Sequence, residues 1–208
     1  MEKNVTRNTL FTYFGEQALL KEKKTVFFCP YDVPDSIFSS IRQWIKTLDP
    51  LRDCVVCGNS TGIERYTLRL LLRKKFSVIL PLATVIPQCL EELNLGWKLT
   101  EQETQELLDE ALAEHRLLMV ASTENVSVST PTRHTILIRN YWMRWVGSRF
   151  VVGCNDKGGY FKHLLHQRDF EVLDNGKAEV HEPVCAGVAS SPMIPVVCDD
   201  DYDLLLAV

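Results

Sequence analysis

The sequence predicts an α/β fold of Rossmann-like type, a doubly wound, mainly parallel sheet of five or more strands with helices on both faces. Three observations carry this expectation. Short apolar, β-rich runs alternate with segments of helical periodicity, the pattern of βαβ units. The runs are continuously hydrophobic rather than alternating, as strands covered on both faces must be. A loop with two glycines, Gly58-Asn59-Ser60-Thr61-Gly62, stands between a predicted strand and a predicted helix. Folds of this class hold ligands at such junctions.

The elements follow in order. Leu10, Phe11, Phe14, Ala18 and Leu19 suggest a short lead-in helix within residues 1–23. Strands are predicted over Thr25–Cys29, Cys54–Cys57, Ser77–Leu82, Leu117–Ala121 and Phe150–Cys154. After Pro34, the residues Ile37, Phe38, Ile41, Trp44, Ile45 and Leu48 form one apolar stripe, a core-facing helix. Thr61-Gly-Ile-Glu64 fits a capping box, as does Thr100-Glu-Gln-Glu103 ahead of Leu107, Leu108, Ala111 and Leu112. Thr130-Pro131 reads as a cap followed by a first-turn proline, with Ile138, Tyr141, Trp142 and Trp145 along the face behind it. A last short helix is expected over Tyr160 to His166. The Rossmann-like domain is placed at 24–173. Residues 174–208 read as a C-terminal extension that packs on the domain or forms an acidic tail.

Composition agrees with one domain: 208 residues, 46% hydrophobic and 24% charged. No uncharged stretch is long enough to span a bilayer, and the first residues are polar and charged. A cytoplasmic protein without membrane contact is therefore expected. Cys54-Val-Val-Cys57 resembles a metal or redox pair by spacing alone, but in a strand residues three apart point to opposite faces. Buried, reduced thiols are the expectation. No metal and no cofactor are expected; His163 with His166 reads as a surface or nucleic-acid-facing pair, and Asp199-Asp200-Asp201 as a solvated acidic tail, rather than as ligand sets. No serine or cysteine has a base near it in sequence, so no catalytic residue is assigned and a binding protein is expected rather than an enzyme.

The net charge of −4 hides an uneven distribution. Arg133, Arg139, Arg144, Arg149, Lys157, Lys162 and Arg168 face only Asp156 between Thr130 and Arg168. From Asp169 onward acids dominate.

Three junctions can receive a negatively charged ligand. In the first loop, glycines let backbone approach a ligand, a helix start presents unpaired N–H groups, and Ser60 and Thr61 add hydroxyls. Glu64 is the acid of this loop, and its place in the capping box also accounts for it. Arg139-Asn140 can clamp a phosphate with a planar fork, or lie on a solvated helix face. Lys157-Gly158-Gly159 follows the fifth strand, a cation in a flexible loop or simply a turn. The expected ligand-binding set is thus Gly58, Asn59, Ser60, Thr61, Gly62, Glu64, Arg139, Asn140, Lys157, Gly158 and Gly159. In the assembled sheet the three loops converge.

These loops, in this order, resemble the DNA-processing protein A (DprA/Smf) family, within the SMF/LOG-type Rossmann-like superfamily. Tyr13-Phe14-Gly15-Glu16-Gln17-Ala18-Leu19-Leu20 is similar to its aromatic–glycine–leucine lead-in. Val55 to Glu64 is similar to its strand and glycine loop, where an acid follows glycine–isoleucine. Arg139-Asn140 matches its arginine–asparagine signature, and Lys157-Gly158-Gly159 falls where it has lysine, serine and glycine. The resemblance runs from about Thr12 to His166. Cys29-Pro30-Tyr31 replaces a glycine–serine–arginine turn, Tyr141 replaces an arginine, and Gly153 replaces an acid. The chain therefore reads as a stand-alone, divergent relative.

The resemblance implies a non-catalytic protein that binds single-stranded nucleic acid. A second reading is a sensor of a free nucleotide or nucleotide-derived ligand, which suits the acidic net charge. A third is a nucleotide hydrolase resembling the phosphoribohydrolases of the lysine-decarboxylase-like family, although their proline–glycine–glycine–x–glycine–threonine run is missing here. The expected partner is single-stranded DNA or a nucleotide, with a homodimer also open; the aromatic residues of the Trp142–Trp145 helix suit either an interface or the core.

Overall fold

The computed structural model describes residues 6–7, 10–87, 93, 101–123, 130–155 and 158–174. They build one eight-stranded sheet in the order β1-β2-β6-β5-β4-β3-β7-β8. The strands are β1 (Thr6–Arg7), β2 (Phe11–Gly15), β3 (Lys24–Phe28), β4 (Cys54–Cys57), β5 (Ser77–Leu82), β6 (Leu117–Ser122), β7 (Arg149–Cys154) and β8 (Phe170–Asp174). From β6 to β8 every neighbour is parallel; β2 runs antiparallel to β6, and β1 antiparallel to β2. The five predicted strands are all present, within a residue of their expected ends. The expected extension over residues 174–208 lies, after Asp174, outside the described residues.

The helices are α1 (Ile37–Lys46), α2 (Gly62–Arg73), α3 (Glu101–Ala113), α4 (Arg133–Val146) and α5 (Tyr160–Leu164), with a 3-10 turn at Gln17–Lys21. They cover the sheet from both sides. Alternation along the strands sorts their side chains into two cores. Phe27, Val55, Cys57, Val78 and Leu80 meet Ile37, Ile41, Trp44, Leu68, Leu71 and Leu108 of α1 to α3. Val26, Phe28, Cys54, Val56 and Ile79 meet Trp142, Met143, Phe161 and Leu164 of α4 and α5. Cys54 and Cys57 thus fall on opposite faces, as a strand requires. Stacking of Phe27 on Trp44, with ring centroids 5.3 Å apart, locks α1 to the centre of the sheet. Among the described residues, no helix is long and apolar enough to cross a membrane.

Three expectations are corrected. The lead-in is not a helix: Phe11–Gly15 is a strand on β6, and only Gln17–Lys21 turns helically. The run Phe-Thr-Tyr-Phe favours extended backbone. Gly15 then turns the chain at φ 107°, where a Cβ would lie 2.2 Å from the Leu117 carbonyl oxygen, so only glycine fits.

The second correction concerns the start of α4. Its cap is Thr132, not Thr130: the Thr132 hydroxyl accepts from the Thr135 amide, and the Thr135 hydroxyl lies 2.9 Å from the Thr132 amide, which donates to it. Pro131 therefore precedes the cap rather than entering the first turn. The Thr100 cap expected for α3 lies outside the described residues. Third, α4 is rotated from the expected face. Trp142 is buried, but Tyr141 is 45% and Trp145 75% exposed, and the polar pair Arg139-Asn140 is turned inward.

Candidate functional site

The loop Gly58–Thr61 leaves the carboxyl end of β4 and enters α2. Thr61 caps the helix: its hydroxyl accepts from the Glu64 amide at 3.0 Å, and the Glu64 carboxylate accepts from the Thr61 amide at 3.3 Å. The same Glu64 Oε2 accepts the Ser60 amide at 2.7 Å. Two of the backbone donors expected to receive a ligand therefore already serve a carboxylate of this chain. The loop holds an anion, and that anion is Glu64.

Arg139 completes the arrangement from the other helical layer. Its Nη1 donates to Glu64 Oε2 at 3.1 Å and its Nη2 to Oε1 at 3.2 Å, a bidentate pair. Nη1 also donates to the Ser60 hydroxyl at 2.6 Å. Nε and Nη2 donate to the Asn140 amide oxygen at 3.0 and 2.8 Å, and Asn140 Nδ2 donates to the Tyr160 hydroxyl at 2.9 Å. Arg139 is 5% and Glu64 2% exposed. A buried charge needs this degree of satisfaction, because an unpaired one costs several kcal/mol. Since Glu64 belongs to α2 and Arg139 to α4, the pair ties the two helical layers together across the end of β4.

Gly58 is what permits the approach. A Cβ there would stand 2.6 Å from Arg139 Nη1 and 2.8 Å from Glu64 Oε2. The expected convergence of Arg139 and Asn140 on the glycine loop is therefore present, but it is internal: the guanidinium faces Glu64 and not the exterior. The rim is open elsewhere. Chain neighbours and the helix's own backbone apart, no atom of the described residues comes within 4 Å of a Cβ built on Gly62 or on Gly158. Lys157 lies outside the described residues. Gly159 takes a left-handed φ of 68° immediately before α5.

The switch point of the sheet lies between β3 and β7, where the strand order reverses. Two thiols fill it. Cys29, just past β3, is hydrogen-bonded to Cys154 at the end of β7, and its sulfur would be 2.6 Å from a Cβ on Gly153. The hydrogen bond to Cys154, then burial, raises the Cys29 pKa. Burial pushes the Cys54 thiol up to about 12 and raises Cys57 well above its usual value, with Glu64 adding to the latter and Arg139 opposing it. Raised thiol pKa values suppress the thiolate, the reactive form. At pH 8, N-ethylmaleimide is accordingly expected to leave Cys29, Cys54, Cys57 and Cys154 unmodified in the native chain and to modify all four after denaturation. Peptide mapping checks this; native labelling of Cys29 at the denatured rate would show that the switch point opens.

Much of the basic segment read from the sequence is engaged with the chain's own groups. Besides Arg139, Arg149 pairs with Glu171 at 2.6 Å and Arg144 donates to the His166 carbonyl at 3.3 Å. Arg168 lies over the Phe150 ring. The sequence reading missed a second set of cations, on α1 and α2: Arg42, Lys46, Arg65, Arg69 and Arg73. The only acid in these two helices is the buried Glu64. The four-residue spacing of Arg65, Arg69 and Arg73 was the available signal.

Fold and site together define a Rossmann-like α/β protein with a glycine loop at the carboxyl edge of its sheet. The same fold is found in two solved structures of DNA processing protein A. The structure from Helicobacter pylori, described for a unique mode of single-stranded DNA binding, superposes with a TM-score of 0.53 at 15% identity, over 82% of this chain and 80% of that one. The structure from Streptococcus pneumoniae superposes with a TM-score of 0.54 at 15% identity, over 77% of this chain and 53% of that one; the chain spans about half the length of that protein. No protein-family model and no curated protein sequence matches the chain.

Proposed function

We propose that the chain binds single-stranded nucleic acid at the carboxyl edge of its sheet, without catalysing a reaction on it. The fold it shares with DNA processing protein A supports this reading. The observation that carries it is the open rim at Gly62 and Gly158, where, chain neighbours and the helix's own backbone apart, none of the described residues stands within 4 Å of either glycine's missing side chain. On this reading backbone at Asn59, Gly62, Gly158 and Gly159, with Lys157, meets the strand. Gly58, Ser60, Thr61, Glu64, Arg139 and Asn140 act behind it by fixing the loop's shape.

Phosphate contacts release counterions, so affinity for a single strand falls with a slope of about −0.7 per phosphate contact in log–log form. Fluorescence anisotropy with a labelled oligothymidylate is expected to give micromolar or tighter binding at 50 mM salt and a steep loss by 200 mM. Absence of binding at low salt would refute the reading.

A sensor of a free nucleotide is the second reading, favoured by the fact that Glu64 already occupies two loop amides and leaves room for few phosphate contacts. A nucleotide that binds the native state raises the melting temperature, with a stabilisation that grows as the logarithm of 1 + [L]/Kd. A thermal-shift series over nucleoside mono-, di- and triphosphates distinguishes the two readings: a shift with one mononucleotide and no oligonucleotide binding would select the sensor.

A further inference from the structure

The outer surface of α1 and α2 carries Arg42, Lys46, Arg65, Arg69 and Arg73. Arg65, Arg69 and Arg73 recur every four residues on one side of α2, about 6 Å apart along the axis at 1.5 Å per residue. Like charges at this spacing repel and destabilise an isolated helix. No acid of α1 or α2 offsets them, because Glu64 is consumed by Arg139. Arg42 reaches across from α1 and donates to the Tyr66 hydroxyl at 3.1 Å, and the Arg69 guanidinium lies 5.9 Å over the Tyr66 ring. Tyr66 itself is braced edge-on by Phe38, with ring centroids 4.9 Å apart. Arg65 stands next to the glycine loop: its Nη1 donates to the Asn59 carbonyl at 3.4 Å, while its buried Nε has no hydrogen-bond partner among the described residues. At the far end the character changes. Arg73 shares a cavity with Glu103, Glu106, Asp109 and Glu110 of α3, so the cationic surface ends there.

We propose that a single strand passing the Gly62 rim continues over the outer face of α1 and α2, with successive phosphates on Arg65, Arg69 and Arg42. This rests on the nucleic-acid reading above and adds to it the surface that does the binding. The partner follows from chemistry: guanidiniums grouped on one helical surface, two of them held at the Tyr66 ring, fit a polyanion and read no base. Desolvation, then repulsion from Arg73, lowers the pKa of Arg69, with Arg65 adding to the repulsion; a bound phosphate relieves it.

The test uses the full chain and a fluorescein-labelled oligothymidylate across a salt series. The variant R42Q/R65Q/R69Q is expected to bind at least tenfold more weakly than wild type, with a salt slope smaller by about 2, from about 0.7 per lost phosphate contact. The control K23Q/R52Q/K74Q removes equal charge at the amino edge of the sheet and is expected to bind within about twofold of wild type. R42Q alone, at an exposed position that leaves the fold intact, is expected to lower the slope by about 0.7. A wild-type chain that binds no oligonucleotide overturns the nucleic-acid reading itself. Wild-type binding that R42Q/R65Q/R69Q and R42Q leave unchanged overturns this surface alone. Tighter binding of a polyglutamate probe than of the oligonucleotide overturns it in favour of an acidic protein partner.

Discussion

Glu64→Gln is expected to lower the unfolding free energy by about 3–5 kcal/mol, the cost of leaving a buried charge without its partner. The glutamine keeps the size of the side chain and can still accept the Ser60 amide, so helix capping is largely preserved. What it removes is the negative charge opposite an Arg139 guanidinium that is almost wholly out of water. At roughly 2–4 °C per kcal/mol for a chain of this size, the melting temperature should fall by about 6–20 °C. Arg139→Met should cost a similar amount, because it strands the Glu64 carboxylate. The double variant should be much less destabilised than the sum, since it removes both charges together and a buried pair can be replaced by uncharged groups at little cost. Differential scanning calorimetry of the four proteins completes the cycle. Additive losses would mean that the two groups are not a unit. The coupling should also persist in 0.5 M salt, because screening acts on exposed charges far more than on buried ones.

This pair shows where sequence reading stops. The capping box at Thr61–Glu64 was legible because its geometry is local, four residues closing on themselves. The strands were legible because burial on both faces leaves a continuous apolar run. The role of Arg139 was not, because it depends on a carboxylate 75 residues away on the opposite layer. Arg139 and Asn140 on a helix read as a solvated or ligand-facing pair, and the aromatic residues beside them as interface or core, since periodicity alone cannot say which face a helix buries when one face carries a satisfied charge. β2 escaped for a similar reason. Its Phe11, Tyr13 and Phe14 satisfy helical and strand spacing alike over so short a run, and its partner β6 is more than a hundred residues distant. β1 has only two residues and no signal of its own. The cations of α1 and α2 stand at four-residue spacing in the sequence, but their excess shows only once the structure removes Glu64 from that face.

The two glycines of the loop make opposite demands, and substituting each with alanine separates structure from binding. Gly58→Ala is expected to destabilise by about 1–3 kcal/mol, the usual cost of adding a methyl group to a filled site. The atoms in its way are ends of side chains, which elsewhere would swing aside. Here they cannot move freely, because Arg139 Nη1 and Glu64 Oε2 hold each other and Ser60. The methyl group must therefore break the pair or displace the end of β4. Gly62→Ala meets nothing of the described residues within 4 Å, its neighbours and its own helix backbone apart, and places a better helix former in the first turn of α2. It should leave stability unchanged or raise it by up to about 1 kcal/mol. Urea unfolding measures both. Equal stability of Gly58→Ala and wild type would show that the buried pair has a second way to sit. If nucleic acid meets the loop at its open rim, Gly62→Ala should weaken oligonucleotide binding in a protein at least as stable as wild type. A loss of affinity without a loss of stability cannot come from unfolding, so it places the ligand at the rim; undiminished affinity moves the contact away from Gly62 and leaves the α1–α2 arginines to carry it.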